Sequence, residues 1–495
     1  MFVATAAKRL RIIYMSDIHG NMDMLARCAG LFAKDEDTII LDGGDTIQGS
    51  PFSTYIHVNA MGAGSIAQTL NIAGFDFITL GNHDFNYGTD YLRAYLNDLN
   101  AVCVCANVSG DLPVLPYQIH AMPNGLKIGI TGIVTEYVNI WEKADNLRGV
   151  TISSPFEAAQ EALRQMKDIA DVCICIYHGG FECDLNSGAV LTTSTENIGS
   201  KICRELDFDI LLTAHQHMLV EGCLHYGTFV VQPGSNAQQF IAITGETHDD
   251  AFKWTSRFVE PGHFMYPENN HLSAMEHDLQ AWLDIPIGTA SEPLLPADRA
   301  QMALHGSPIA TLFNHIQRKA TGAQISCVGL ANNIPGFGHV IRMRDVIENY
   351  PFNNNLVTMH ITGVQLVVAL ERAASYLSPD AEGVPQVSHA FLYPKVEHYN
   401  YDFFSGLTYT ADLRKPCGER VSDVKVGGVP ITDDAVYTLC MSSYRATGTG
   451  GYDVYKSCPT TEHGSQEISE LIRDYISREG NITIKNEEAP NWISI

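Results

Sequence analysis

The sequence has few basic side chains. Only 31 of its 495 residues are Lys or Arg, against 56 Asp or Glu, and the formal net charge is −25. A chain this acidic repels polyanions, so we expect it to bind neither nucleic acid nor an anionic membrane surface. A small anionic substrate stays compatible with this charge where bound cations or a local group of arginines reverse the field at the site.

Long hydrophobic runs are absent as well. No stretch reaches the roughly 18 apolar residues of a membrane-spanning helix. The residues before the first predicted strand also lack the apolar segment that forms the middle of a secretory signal. We therefore expect no membrane partner and a cytoplasmic protein, or alternatively an exported protein whose signal has been removed from this sequence.

The 12 cysteines include no Cys-x-x-Cys motif. Cys103 and Cys105, like Cys173 and Cys175, alternate with apolar residues in strand-like segments, where residues two apart point to the same face. Both pairs indicate small buried side chains, with a redox or metal-binding pair as the alternative. Reduced cysteines of this kind are typical of the cytosol.

The first half of the chain alternates short apolar runs with helix-like stretches. Runs such as RIIYM, TIILD and CICIYH are separated by helical patterns, one of which begins with Ser-Pro at 154 and extends to 170. Strands that alternate with helices predict an α/β fold with a largely buried sheet. We predict domains at 1–265 and 293–495, connected by a linking helix and hinge at 266–292.

Polar side chains that can bind metals follow five of the apolar runs, usually beside glycine. Because sites in open α/β folds form at the carboxyl ends of strands, these loops can meet in one crevice. The candidate ligands are Asp17, His19, Asp45, Asn82, His178, His215 and His217. Mixed oxygen and nitrogen ligands suit Mn, Zn, Fe, Co or Ni, and a carboxylate such as Asp45 can bridge two ions. Seven side chains are too many for one ion, so we predict two divalent metal ions.

These residues occur in five blocks that resemble the motifs of the calcineurin-like metallophosphoesterases. The blocks are DIH (17–19), GGD (43–45), GNHD (81–84), YHGG (177–180) and AHQH (214–217), where Ala214 replaces the usual glycine. In the second half, YDFFSGLTY (401–409) and SYRATGTGGYD (443–453) are similar to the two substrate loops of the two-domain 5′-nucleotidase/2′,3′-cyclic-nucleotide phosphodiesterase family. The resemblance implies a four-layer α/β/β/α metallophosphoesterase sandwich and a smaller α+β C-terminal substrate-binding domain.

Carried over residue by residue, the resemblance implies a role for each of these side chains. One metal ion would bind Asp17, His19, Asp45 and His217, and the other Asp45, Asn82, His178 and His215. His83 would be the catalytic histidine near the leaving group, and Asn86 would orient it. Tyr401 and Tyr444 would clamp a nucleobase between their aromatic faces, with Tyr399 as a competitor for the place of Tyr401.

Three departures from the family pattern bear on the substrate. Asn86 stands where 5′-nucleotidases have an Asp that pairs with the catalytic histidine, and an amide orients an imidazole without adding charge. The clamp is Tyr/Tyr where 5′-nucleotidases typically carry Phe. The usual Gly-Gly-x-Arg segment is replaced by GLANNIPGFG (329–338), which contains the candidate substrate-binding residue Asn332. Positive charge for a terminal phosphate would then come from Arg342, Arg344 or Arg445.

We therefore expect a dinuclear-metal phosphoesterase that hydrolyses nucleotides. We favour 2′,3′-cyclic nucleotides and 3′-nucleotides, because a cyclic monoanion needs less positive charge than a terminal phosphate. Three alternatives stay open: a 5′-nucleotidase or nucleotide-sugar hydrolase, a cytosolic phosphoesterase acting on a non-nucleotide metabolite, and a non-catalytic nucleotide-binding protein. The expected partner is a small-molecule nucleotide, and the expected assembly is a monomer or small homo-oligomer.

Overall fold

The computed structural model describes residues 8–191, 195–248, 251–261, 270–352, 354–393, 395–485 and 489–493. The chain divides into two compact units, Met1–Leu279 and Gln280–Ile495. The predicted domain boundary at 265/266 lies outside the described residues. A helix, Asn270–Leu283, lies within the predicted linking segment, and the division between the two units falls inside this helix. The hinge stays a prediction.

The first unit alternates strands and helices through most of its length. Its strands are β1 (Arg9–Met15), β2 (Thr38–Asp42), β3 (Phe77–Ile78), β4 (Val102–Cys103), β5 (Val108–Gly110), β6 (Tyr117–Ala121), β7 (Lys127–Val134), β8 (Val150–Ile152), β9 (Val172–His178), β10 (Ile210–Thr213), β11 (Val220–His225), β12 (Thr228–Gln232), β13 (Phe240–His248) and β14 (Ala251–Val259). Its helices are α1 (Met22–Ala29), α2 (Pro51–Val58), α3 (Gly64–Ala73), α4 (Thr89–Asp98), α5 (Val138–Trp141), α6 (Pro155–Met166) and α7 (Gly199–Glu205), and α8 (Asn270–Leu283) leads into the second unit.

Two six-stranded sheets form the centre of the first unit. Their strand orders are β14-β13-β1-β2-β3-β4 and β11-β12-β10-β9-β7-β6. Strands β1 to β4 are parallel, as are β7, β9, β10 and β12, whereas β6, β11, β13 and β14 pair antiparallel. Parallel neighbours end at the same edge of a sheet, so the loops after β1, β2 and β3 lie side by side, as do those after β9 and β10.

The two sheets pack face to face through the side chains that alternate inward along each strand. Tyr14 of β1 shares one buried cluster with Ile130 of β7 and Ile174 of β9. The other face of the second sheet packs against α6 and α7, where Met166 and Ile202 are buried. Helix α3 contacts both α1 and α4, and all three helices bury apolar residues. The predicted α/β fold class is confirmed.

Local signals in the sequence account for individual elements. Helix α6 begins at the predicted Ser-Pro, because the Ser154 side chain accepts a hydrogen bond from the Glu157 N–H at 3.4 Å. The paired cysteines at the end of β4 and within β9 are buried as predicted, and burial raises the pKa of Cys105 to about 12. These thiols therefore act as small apolar side chains of the core.

The second unit has its own sheets and its own core. Its strands are β15 (Pro286–Ala290), β16 (Ile325–Gly329), β17 (Val340–Arg342), β18 (Asn355–Thr362), β19 (Leu377–Pro379), β20 (Pro385–Val387), β21 (Asp402–Ser405), β22 (Leu407–Asp412), β23 (Val421–Val426), β24 (Val429–Pro430), β25 (Val436–Ser442), β26 (Thr460–Glu467), β27 (Asn481–Ile482) and β28 (Asn491–Ile493). Its helices are α9 (Arg299–His305), α10 (Pro308–Thr321), α11 (Met343–Asn349), α12 (Gly363–Ala374), α13 (Ser443–Ala446) and α14 (Ile468–Glu479).

A five-stranded sheet, in the order β21-β16-β25-β18-β26, organises this unit. One apolar cluster joins it to α10 and α14 through residues such as Phe313 and Ile472. A second cluster joins it to α12 and β22 through residues such as Leu370 and Tyr409. Of the two sequence segments that resemble substrate loops, 401–409 contains β21 and 443–453 directly follows β25. Both segments are therefore anchored to this sheet.

Candidate active site

Five strands of the first unit end at the seven candidate metal ligands. Asp17 and His19 follow β1, Asp45 follows β2, Asn82 follows β3, His178 ends β9, and His215 and His217 follow β10. Six of these side chains form two groups, Asp17 with His19 and His217, and Asp45 with His178 and His215. Within each group the candidate ligand atoms all lie within 4.8 Å of one another. Asn82 joins the second group, because its Oδ1 lies 3.2 Å from Nε2 of His178.

Five of these residues have a left-handed backbone. The φ angles are 52° at Asp17, 51° at His19, 56° at Asp45, 68° at His215 and 54° at His217. Such angles are uncommon outside glycine, cost on the order of 1–3 kcal/mol each and concentrate at functional sites. Neighbouring loops hold them in place: the Asp17 N–H donates to the Gly44 carbonyl at 2.9 Å, and the His19 N–H to the Asp45 carbonyl at 2.8 Å.

In the first group, the imidazole nitrogens and the carboxylate converge on one point. His217 Nε2 lies 3.2 Å from Oδ1 of Asp17 and 3.3 Å from Nε2 of His19. The other nitrogen of His19, Nδ1, donates to the carbonyl of Gln48 at 2.9 Å. Burial lowers the pKa of His19 to about 4, so this ring is neutral at pH 7. Burial opposes ionisation of Asp17, but His217 outweighs it and lowers the pKa of that carboxyl below its usual range.

In the second group, His178 and Asp45 form a buried ion pair. His178 Nε2 lies 3.2 Å from Oδ2 of Asp45, and Nδ1 donates to the Gly43 carbonyl at 2.7 Å. Burial alone would lower the pKa of His178, but the Asp45 carboxylate raises it to about 10. The pKa of Asp45 is correspondingly lowered, because His178 outweighs the effect of burial on the carboxylate.

This donor set fits divalent metal ions. Backbone carbonyls occupy Nδ1 of both His19 and His178. Nε2 of His19 therefore faces Nε2 of His217, and Nε2 of His178 faces Oδ2 of Asp45. Metal-binding histidines typically donate their second nitrogen in this way, since that contact fixes the ring and its tautomer. Two facing imidazole nitrogens 3.3 Å apart beside an ionised Asp17 are the arrangement that a bound cation stabilises.

Gly81 allows the two loops that carry the second group to approach closely. A Cβ at this position would lie 2.2 Å from Oδ1 of Asp45 and 2.6 Å from Cε1 of His178. Neither atom belongs to the free end of a flexible chain, so any larger residue would displace a candidate ligand. The glycine of the GNHD block is thus required by packing.

Asp84, the last residue of the same block, organises the site without facing it. Its Oδ2 accepts the N–H groups of Asp45 (2.9 Å) and Gly81 (2.8 Å), and its Oδ1 accepts those of Thr46 (2.9 Å) and Ile47 (3.1 Å). The carboxylate is 2% exposed. The sequence patterns did not predict this role, although an Asp directly after Asn-His was a signal for it.

His83 lies at the rim of the metal groups. Its backbone N–H donates to Oδ1 of Asp45 at 2.7 Å, and its ring centroid lies 5.4 Å from that of His19. Nδ1 of His83 contacts Oδ1 of Asn86 at 2.8 Å, which is the pairing that the resemblance implied. The amide nitrogen of Asn86 in turn donates to Oε2 of Glu142 at 2.6 Å, a contact that the sequence did not signal.

Two further neighbours of the site were not predicted. Glu196 Oε1 lies 2.9 Å from Nε2 of His215, and the ring of Trp141 stacks on His215 at 5.6 Å between centroids. Both residues lie outside the five blocks, so no motif marked them. They restrict the orientation of His215.

In the second unit, the position of Tyr401 differs from the prediction. Its ring is 3% exposed and stacks on Tyr376, with 4.4 Å between centroids, inside a cluster that also contains Phe391. A nucleobase cannot stack on a face that the core already covers, so the predicted clamp role of Tyr401 is wrong for this structure. Tyr399 and Tyr444 are both only half-buried, and Tyr399 therefore replaces Tyr401 as the candidate.

Arg445 also differs from the prediction. It is 4% exposed, its Nε lies 2.9 Å from Oδ2 of the buried Asp402, and its Nη2 donates to the Tyr399 carbonyl at 2.8 Å. It also donates to the Thr449 carbonyl. This guanidinium is fully engaged within the protein, and it joins the two segments that resemble substrate loops.

The other candidate substrate-binding residues also contact neighbouring groups of the protein. Asn332 donates to the Val396 carbonyl at 2.7 Å and accepts from the His398 N–H at 3.0 Å, so it fixes the loop that leads to Tyr399. Nε of Arg344 lies 3.0 Å from Oδ1 of Asp284, and Nε of Arg342 lies 4.0 Å from the same oxygen.

Comparison with known families matches both units. The calcineurin-like phosphoesterase model matches residues 10–219, and the model of the 5′-nucleotidase C-terminal domain matches residues 286–457. The two models together cover more than half of the chain. The protein belongs to the family that joins these two domains, and it is a metal-dependent phosphoester hydrolase.

Individual relatives are distant in sequence but cover nearly the whole chain. A trifunctional nucleotide phosphoesterase of Bacillus subtilis is 25% identical over 98% of this chain. The match covers 38% of the length of the Bacillus protein. A 2′,3′-cyclic-nucleotide 2′-phosphodiesterase/3′-nucleotidase of Yersinia enterocolitica is 24% identical over 98% of this chain and 87% of its own.

Solved structures agree with this assignment. The structure of a Staphylococcus aureus protein described as a candidate 5′-nucleotidase, in complex with α-ketoglutarate, is 28% identical with a TM-score of 0.90, and covers 98% of this chain and 100% of its own. Among the residues described here, no helix combines the length and the apolar character that crossing a membrane requires.

Proposed function

We propose that this enzyme hydrolyses 2′,3′-cyclic nucleotides and 3′-nucleotides. The observation that carries this choice is the state of the candidate phosphate-reading arginines. Arg445 is paired with Asp402 at 2.9 Å and Arg344 with Asp284 at 3.0 Å. A guanidinium already held by a carboxylate is a poor reader of a terminal phosphate dianion, whereas a cyclic diester carries a single charge. The name of the Yersinia relative supports the same choice.

The two ligand groups support a dinuclear site. In this proposal Asp17, His19, Asp45 and His217 hold one ion, and Asp45, Asn82, His178 and His215 hold the other. Mn, Zn, Fe, Co and Ni all accept this mixture of carboxylate, amide and imidazole ligands. When bound, the ions would supply Lewis acidity toward the phosphoryl oxygens and lower the pKa of a water molecule.

The side chains of this chain supply orientation and a proton. Because Asn86 occupies Nδ1 of His83, Nε2 is the nitrogen left to protonate the leaving ribose oxygen. Tyr399 and Tyr444 would hold the base by stacking, which is worth about 1–3 kcal/mol per base and tolerates any base. Arg445 supports this arrangement through the Tyr399 carbonyl. We expect a monomer or small homo-oligomer.

The test is a substrate panel with the metal-loaded protein. It contains 2′,3′-cyclic AMP, 3′-AMP, 5′-AMP, a nucleotide sugar and bis-p-nitrophenyl phosphate, with Asp45→Asn as the control. We expect the highest kcat/KM for the cyclic and 3′ substrates and none for the control variant. Activity on the aryl ester alone would support an enzyme for a non-nucleotide metabolite and refute the nucleotide assignment.

A 5′-nucleotidase is the second candidate. It is favoured by the 28% identity to the Staphylococcus aureus structure over nearly the full length of both chains. Preference for 5′-AMP in the same panel would establish it, and would mean that a group other than the three arginines reads the terminal phosphate.

A further inference from the structure

Three side chains form a hydrogen-bonded line from the rim of the metal site to Glu142. Nδ1 of His83 faces Oδ1 of Asn86 at 2.8 Å, and Nδ2 of Asn86 donates to Oε2 of Glu142 at 2.6 Å. Glu142 lies 56 residues from Asn86 in sequence, directly after the short helix α5. Its carboxylate is half-buried.

Both oxygens of Glu142 already receive hydrogen-bond donors. While Oε2 accepts from Asn86, Oε1 accepts from Nδ2 of Asn146 at 2.8 Å and from the N–H of Lys143 at 2.7 Å. Nδ2 of Asn146 also donates to the Asn86 carbonyl at 2.8 Å, which ties the two segments together. The carboxylate is therefore fixed in place from its far side.

This line determines which way the Asn86 amide points. An amide has a donor end and an acceptor end, whereas an ionised carboxylate only accepts. Glu142 therefore requires the NH2 group of Asn86 on its side, and the amide oxygen must face His83. Nδ1 of His83 then carries a proton, and Nε2 is the nitrogen presented to the substrate.

We propose that Glu142 is a positioning residue for the hydrolytic reaction, because it fixes the Asn86 amide and through it the ring of His83. The inference rests on the proposed function of His83 as the proton donor to the leaving group. Where the family pattern has an Asp beside the catalytic histidine, this chain uses an amide and places the carboxylate one side chain further from the ring.

Glu142→Gln tests the inference with an isosteric change. Asn146 and Lys143 both donate, so they hold the new side-chain oxygen and turn its NH2 group toward Asn86. The Asn86 amide must then rotate and present its own NH2 to His83. We expect kcat for 2′,3′-cyclic AMP to fall about 10- to 100-fold with little change in KM, within the range of general acid catalysis.

The leaving group separates positioning from a structural effect. A p-nitrophenolate leaves without protonation, so kcat for bis-p-nitrophenyl phosphate should change less than about threefold in Glu142→Gln. The exposed Glu161→Gln serves as the matched control and should leave both activities unchanged. Equal losses on both substrates would overturn the inference.

A second substitution should restore the line. In Glu142→Gln, the further change Asn86→Asp supplies an acceptor to His83 and another to the new amide, so kcat should recover to within about fivefold of the parent. Asn86→Asp alone places two carboxylates at the 2.6 Å contact and should lower activity. Asn86→Asp would then lower activity in the parent but raise it in Glu142→Gln. Two independent structural defects do not produce a change of sign of this kind.

His83→Ala distinguishes failure of the inference from failure of the proposed function. If His83→Ala lowers kcat on the cyclic substrate while Glu142→Gln does not, the inference is overturned and the role of His83 stands. If His83→Ala retains full kcat, both are overturned. If Glu142→Gln has no further effect in the His83→Ala background, Glu142 acts through His83 as proposed.

Discussion

The most demanding test of the site concerns Asp84, whose carboxylate accepts four backbone N–H groups from the loops after β2 and β3. Asp84→Asn keeps the shape of the side chain but replaces one oxygen by a donor. Whichever oxygen is replaced, two buried N–H groups lose their acceptor. At about 1–3 kcal/mol for each unsatisfied group, we expect a loss of roughly 2–6 kcal/mol in the free energy of unfolding of the first unit.

The measurement is urea denaturation of the metal-free protein, followed by tryptophan fluorescence and circular dichroism. Asp90→Asn is the matched control, because the Asp90 side chain is 99% exposed and pairs with Arg93 on the surface of α4. That variant should unfold within about 0.5 kcal/mol of the parent, as is usual for surface substitutions. The same small change in Asp84→Asn would refute the argument that this carboxylate holds the two ligand loops together.

Three further predictions follow from the site and the substrate loops. The Asp45 carboxylate raises the pKa of His178 to about 10, so metal binding at a pH of about 7.5 should release a proton from this ring. Calorimetry should then give a binding enthalpy that varies with the ionisation enthalpy of the buffer, and His178→Asn should reduce this variation. A buffer-independent binding enthalpy in the parent protein would contradict the predicted proton release. Tyr399→Ala should raise KM for nucleotides about 5- to 100-fold, since stacking contributes about 1–3 kcal/mol per base, and should leave kcat/KM for an aryl phosphodiester unchanged. An equal loss of kcat/KM on both substrates would argue against the clamp. Arg445→Met should destabilise the second unit by about 3–5 kcal/mol in thermal or urea unfolding, because it leaves Asp402 buried without its partner. The double variant Arg445→Met/Asp402→Leu should recover much of this loss. An Arg445→Met protein as stable as the parent would show that the ion pair is dispensable.

The sequence by itself determined the class of fold and the residues that make up the two candidate ligand groups. Short apolar runs that end in Asp, Asn or His beside glycine indicate strand ends, and parallel neighbours bring their carboxyl ends to one edge. That local rule needs no knowledge of distant contacts, so Asp17, Asp45 and His178 follow from the order of residues alone. The contact between His83 and Asn86 is equally local, because the two residues are three apart in the same short block.

Only the tertiary structure decided which of the candidate aromatic and charged side chains are buried. Tyr399 and Tyr401 are two residues apart, and their exposure differs because Tyr376, from another segment, packs against Tyr401. Arg445 is held by Asp402, 43 residues away, so its sequence neighbourhood does not show that it is buried and paired.

The partnership of Glu142 with Asn86 spans 56 residues and belongs to no motif. The candidate metal ligands at the strand ends are specified locally, by the strands that they follow. The side chains that orient, cover or neutralise the site come from segments distant in sequence, and only the folded structure brings these segments to the site.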